Sequence, residues 1–81
     1  MTLTLQPVRV ANGIDEEGML VFDREHWLLA VLTHLSAENE VAPGQWYLEA
    51  GFGRLDGINH PTFADLDAAQ AWIGHRLGAN P

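Results

Sequence analysis

Cysteine is absent from this 81-residue chain, and so is lysine. The first absence excludes disulfides, thiol nucleophiles and thiolate zinc sites, and it makes a reducing cytoplasm the expected location. The second leaves four arginines (Arg9, Arg24, Arg54, Arg76) against eleven acids, a formal net charge of −7 with no basic cluster. Attraction to a phosphate backbone needs such a cluster, so direct nucleic-acid binding is not expected. Serine occurs once, at Ser36, where a predicted helix ends and no nucleophile elbow surrounds it, so nucleophilic catalysis has little to work with. The longest apolar run, Trp27 to Leu32, is six residues, and Met1 to Val10 has neither a basic region nor a long apolar core. Neither a membrane span nor a signal peptide is therefore expected.

What is present is patterned to fold. Apolar residues make up 47% of the chain and three of them are Trp, too many for a disordered polymer despite the charge. The length suits a single small globular domain, residues 1–81, with one modest core.

Two segments share a plan, Gly18 to Leu35 and Ile58 to Leu77. Each starts with a short extended piece ending in Phe, passes an Asp placed like a helix N-cap, and continues as apolar residues at helical spacing. In the first, Trp27, Leu28, Val31, Leu32 and Leu35 fall within about 140° of a helical wheel, opposite His26, Thr33 and His34, with Leu29 alone misplaced. The same run also has the length of a buried strand. A second hairpin would need a turn at Asp23 to His26, where there is no Gly, Pro or Asn, so a helix from Asp23 to Ser36 is predicted. In the second segment Asp65 caps a helix through Leu66, Ala69, Trp72, Ile73, Arg76 and Leu77. Asp67 in its first turn, His75 and Arg76 in its last, and Gly78 beyond its end suit the helix dipole and a C-terminal stop.

The remaining pieces read as strands and turns. Leu3, Leu5, Val8 and Val10 alternate with polar residues around Pro7, as an edge strand does. Asn12 and Gly13 end it, Ile14 to Gly18 forms an acidic turn, and Met19 to Phe22 returns as a hairpin. Ala37 to Gly44 is a polar loop closed by Pro-Gly. From Gln45 to Gly53, Trp46, Leu48, Ala50 and Phe52 alternate with Tyr47, Glu49, Gly51 and Gly53. Asp56-Gly57 turns the chain into a further strand, Ile58 to Phe63, weakened by Pro61. The expected fold is α+β, an antiparallel sheet with both helices on one face in the order ββαββα; the alternative is a four-stranded antiparallel meander with a single C-terminal helix. Trp27, Trp46 and Trp72 each fall on a core-facing side and serve as large anchors for a small core.

The chemistry on offer is sparse. His26 and His34 would stand about 12 Å apart along a helix, too far to share a metal, and no HExxH or His-x-His spacing occurs. His60 and His75 could meet if the last helix packs back over its preceding strand. Asp15 to Gly18 lacks the alternating frame of a calcium loop, and a chain this small has little room for a sugar cleft between paired carboxylates. Gly51-Phe52-Gly53 followed by Gly57 misses the dinucleotide spacing and runs into a turn, which leaves strand twist, a bulge or close backbone approach as the reason for these glycines. No family motif is recognised, and no cofactor, metal or catalytic residue is assigned.

The expected function is a small acidic, non-enzymatic protein-interaction module, of the inhibitor or immunity type, whose partner carries a basic surface. The residues expected to bind that partner are Asp15, Glu16, Glu17, Glu38, Glu40, Tyr47 and Glu49, the tyrosine as an exposed aromatic on a polar sheet face. A self-associating accessory domain, such as a homodimer formed through the sheet face or an edge strand, is the first alternative. A small ligand binder or enzyme using His60, His75 and a carboxylate is the second.

Overall fold

The computed structural model describes residues 3–11, 17–57 and 60–77. Five strands form one antiparallel sheet in sequence order: β1 (Thr4–Arg9), β2 (Glu17–Phe22), β3 (Leu28–His34), β4 (Trp46–Gly51) and β5 (Thr62–Phe63). A single helix, α1 (Leu66–Arg76), follows, so the fold is α+β. This corrects the ββαββα order, and the meander alternative fits better with a fifth strand added. Of the two similar segments, only the second becomes strand and helix.

The correction turns on Asp23 to Trp27. That stretch does reverse the chain, without Gly, Pro or Asn, because the Asp23 carboxylate does the work of a turn. Its Oδ1 accepts from the backbone N–H of Glu25 at 2.9 Å and of Trp27 at 3.0 Å. His26 takes the left-handed region at φ 72°, donates its N–H to the Asp23 carbonyl, and rests its ring 5.2 Å from that of Phe22. The apolar run after it is β3, the central strand, flanked by β2 and β4, with Ala30 and Leu32 buried on the core-side face and Val31 half-buried on the other. Leu29, the misfit on a helical wheel, lies in a bulge where Leu28 to Ala30 opposes Phe22 to Val21. Trp27, expected in the core, is instead 68% exposed at the tip of the turn. Asp23→Ala should cost about 1 to 2 kcal/mol, since two N–H groups lose a charged acceptor. Urea unfolding measures this, and an unchanged midpoint would mean the backbone bonds alone hold the turn.

Elsewhere the pattern and the structure agree more closely. β1 is the edge strand around Pro7 and pairs with β2. Ile14 to Glu16 lie outside the described residues, as do Asn12 and Gly13, but Glu17 and Gly18 open β2 and are not part of the turn. β4 keeps its alternation to Leu48 and then bulges at Glu49, since Leu48 opposes Leu32 and Ala50 opposes Val31. The bulge takes Ala50 off the face of Trp46 and Leu48, and Phe52, beyond the strand end, is 45% exposed. Of the strand expected over 58–63, Thr62–Phe63 pairs with β4, and residues 58–59 are outside the described set.

The register puts Val21 beside Ala30, Met19 beside Leu32 and Leu48, and Trp46 beside Phe63 on one sheet face. Ala69 and Ile73 of α1 and Leu55 from the 3-10 turn Gly53–Leu55 close over that face as the core. Asp65 caps α1 as predicted, its Oδ1 accepting from the Ala68 N–H at 2.8 Å. Trp72 is half-buried between Phe63 and Arg76, whose guanidinium carbon stands 5.1 Å from the ring centre. No helix among the described residues is long and apolar enough to cross a membrane.

Candidate functional site

β3 passes to β4 through residues 35–45, and this end of the sheet gathers most of the partner-binding residues expected from sequence. Glu17 opens β2 there, Glu38 and Glu40 are exposed on the loop, and Tyr47 is the second residue of β4. Glu49 lies in the β4 bulge, exposed, with Oε1 accepting from the buried Thr33 hydroxyl at 3.0 Å. Thr33 pairs with Tyr47, so this contact ties Glu49 to the face opposite α1. Asp15 and Glu16 lie outside the described residues.

The loop is held by local hydrogen bonds more than by packing. Asn39 Oδ1 accepts from the N–H of Val41 at 2.9 Å and of Ala42 at 2.8 Å. Gly44 at φ 74° donates to the Ser36 carbonyl, and Leu35 donates to Gln45. Ala42 is thereby tucked in while Val41 stands 92% exposed beside it.

Between this loop and β5 runs a groove of about 590 Å³. Leu35, Val41, Ala42 and Pro61 supply apolar wall, and Asn39, Tyr47, His60 and Thr62 supply the polar edge. Tyr47 is half-buried, with its ring stacked on that of His60 at 5.7 Å. His60 Nδ1 lies 2.7 Å from the Leu48 carbonyl, which can only accept, so Nδ1 carries the proton. In the neutral ring Nε2 is then an acceptor. The same contact covers a carbonyl on the β4 side where β5 is too short to reach, and the Leu48 N–H donates to Pro61.

A second histidine sits on the core-side face at the same end. His34 stacks flat on Trp46, rings 4.4 Å apart and 9° from parallel. Its Nδ1 is 2.9 Å from Glu17 Oε1 and its Nε2 3.2 Å from the Gly44 carbonyl. Glu17 is therefore part of a bracket joining β2 to the foot of the loop, a role its place in an acidic run gave no sign of. On the helix expected over Asp23 to Ser36, His34 would lie opposite the apolar stripe. Only strand periodicity would have put it beside Trp46.

The other side chains considered for chemistry do not converge. His75 is exposed in the last turn of α1, and among the described residues no contact joins it to His60. No group of three metal-ligating side chains gathers among the described residues. Ser36 follows a strand and not a helix. Gly51 does mark a close backbone approach, by Leu55, and Gly53 serves the turn at φ 62°. No protein-family model, curated protein or solved structure matches this chain. The groove residues Leu35, Val41 and Pro61 escaped sequence reasoning, because an apolar loop residue and a proline before a short strand are legible only once the loop lies against β5.

Proposed function

We propose that the chain is a small, non-enzymatic interaction module that presents negative charge to a basic surface of a partner protein, in the manner of an inhibitor or immunity-type protein. The observation that carries this reading is how the two signs of charge are used. Arg54 donates to the Leu77 carbonyl at 3.1 Å and Arg76 lies over Trp72, so both cations serve the fold. Among the described residues Glu25, Glu38, Glu40 and Asp56 are exposed and make no ion pair. Carboxylates that the fold does not use remain free to steer a partner and to repel acidic competitors.

Glu38→Lys with Glu40→Lys is the test, alongside the triple reversal of Asp15, Glu16 and Glu17. With a partner captured at low salt, the loop pair should slow association about tenfold at low ionic strength and much less in high salt, with the melting temperature unchanged. The triple reversal should slow association too, but because it breaks the Glu17 to His34 bracket it should also lower stability. If neither set alters association, the acidity serves only solubility. One observation favours self-association as a second reading: Val8, Leu20, Val31 and Ala50 are half-buried on the sheet face opposite α1. Sedimentation of the isolated protein distinguishes the two.

A further inference from the structure

We infer that the groove between the 35–45 loop and β5 receives one apolar side chain of the partner, on a segment that carries arginine or lysine to either side of it. This rests on the reading of the chain as an acidic module and adds where the partner is gripped and by what residue pattern.

A concavity of about 590 Å³ is within the range of built binding sites, roughly 300 to 1,000 Å³. Among the described residues no side chain fills its apolar wall, and Val41, 92% exposed, stands at its lip. An aliphatic side chain held in water by the bonds that Asn39 accepts from the N–H groups of Val41 and Ala42 gains nothing for the fold there. It gains if a second apolar surface closes on it.

Charge then selects the occupant. Glu38 and Glu40 alternate along the chain with Asn39 and Val41, which line the groove, and both carboxylates are exposed. Glu49 is exposed on the sheet face of Tyr47, and no arginine lines the groove. An apolar wall whose lining residues Asn39 and Val41 are flanked in sequence by exposed acids suits an apolar residue with cationic neighbours, and it penalises the same residue between acids. The Tyr47 ring adds a face on which a guanidinium can stack. His60, fixed on Leu48, keeps that ring in place.

The probe is the blocked peptide Gly-Arg-Leu-Arg-Gly, titrated at low salt into protein labelled with nitrogen-15. Amide shifts should concentrate on Leu35, Val41, Ala42, Tyr47 and Thr62. Replacing the peptide leucine by glycine should weaken binding about fivefold, and exchanging both arginines for glutamate should abolish it. Val41→Ala, at an exposed position that cannot unfold the protein, should weaken binding severalfold. Glu38→Gln with Glu40→Gln should weaken it about tenfold, an effect lost in high salt. Salt-sensitive shifts spread over the carboxylates, indifferent to the leucine and to Val41→Ala, would overturn the groove and leave the acidic module standing. Equal binding of the glutamate-flanked peptide would overturn the charge selection, and no shift up to about 5 mM peptide would overturn the inference outright. The acidic-module reading itself fails separately, if the charge reversals leave partner association unchanged.

Discussion

Trp46→Ala should remove about 3 to 5 kcal/mol of stability, the usual cost of deleting a buried aromatic. A chain of 81 residues has only about 4 to 12 kcal/mol in total at ordinary stability per residue. The variant should therefore be largely unfolded, or melt far below the parent, in far-UV circular dichroism. Three losses coincide at this position. Trp46 is 7% exposed within the core, is paired across the sheet with Phe63, and forms the plate on which His34 stacks at 4.4 Å. Without the plate, the bracket from Glu17 through His34 to the Gly44 carbonyl loses its floor, so the loop carrying Glu38 and Glu40 should loosen with the core. Hydrogen exchange in Trp46→Phe, which keeps an aromatic surface, separates the two effects. If the alanine variant melts within a few degrees of the parent, the core is not centred on Trp46.

The contrast between Trp46 and Trp27 shows where the sequence could be read and where it could not. Trp46 sits in a segment that alternates in sequence from Gln45 to Gly53; the structure keeps that period only to Leu48, and it keeps Trp46 in the core. Trp27 belonged to a run compatible with either period, and the choice rested on the absence of turn residues. That criterion failed because Asp23 builds a turn with its side chain and His26 tolerates a left-handed backbone, two local devices that composition does not display. Once β3 is a strand, the fold order, the exposure of Trp27 and the placing of His34 beside Trp46 all change together. The last helix was legible because its signals were independent: Asp65 as N-cap, an apolar stripe, and charges matched to the dipole.

The candidate site was legible only in part, for a related reason. Glu38, Glu40, Tyr47 and Glu49 were chosen for exposure and charge, and the topology brings them to one end of the sheet. The groove among them is made by the loop lying against His60, Pro61 and Thr62. Those residues are separated from the loop by all of β4, and no local pattern encodes that approach. Glu17 carries the same charge, yet it is tied to His34 at 2.9 Å, and Glu49 to the buried Thr33 hydroxyl at 3.0 Å, so both acids have a structural duty as well.

Gly51→Ala should be the most damaging glycine-to-alanine substitution among the described residues. Gly51 pairs with Ala30 on the core-side face of β4, and the 3-10 turn that follows folds back so that Leu55 crosses the position a Cβ would take. The added carbon would run into the Leu55 carbonyl oxygen, and would lie 2.8 Å from Leu55 Cβ and 2.9 Å from its carbonyl carbon. Backbone atoms cannot rotate away as a flexible side chain can. Leu55 is itself 1% exposed in the core, and the Asp56 N–H is bonded back to Gly53. Relief therefore requires moving the whole turn and lifting Leu55 from its seat, at a cost of about 3 kcal/mol, the upper end for overpacking. Trimming the neighbour does not help, because Leu55→Ala leaves the carbonyl where it was and adds a cavity. Gly57→Ala provides the control, since Gly57 at φ 78° has open space around its Cβ position and should lose only about 1 kcal/mol to backbone strain. Urea midpoints of the two alanine variants decide the matter. If Gly51→Ala costs no more than Gly57→Ala, the close approach of Leu55 is not what requires glycine at this position.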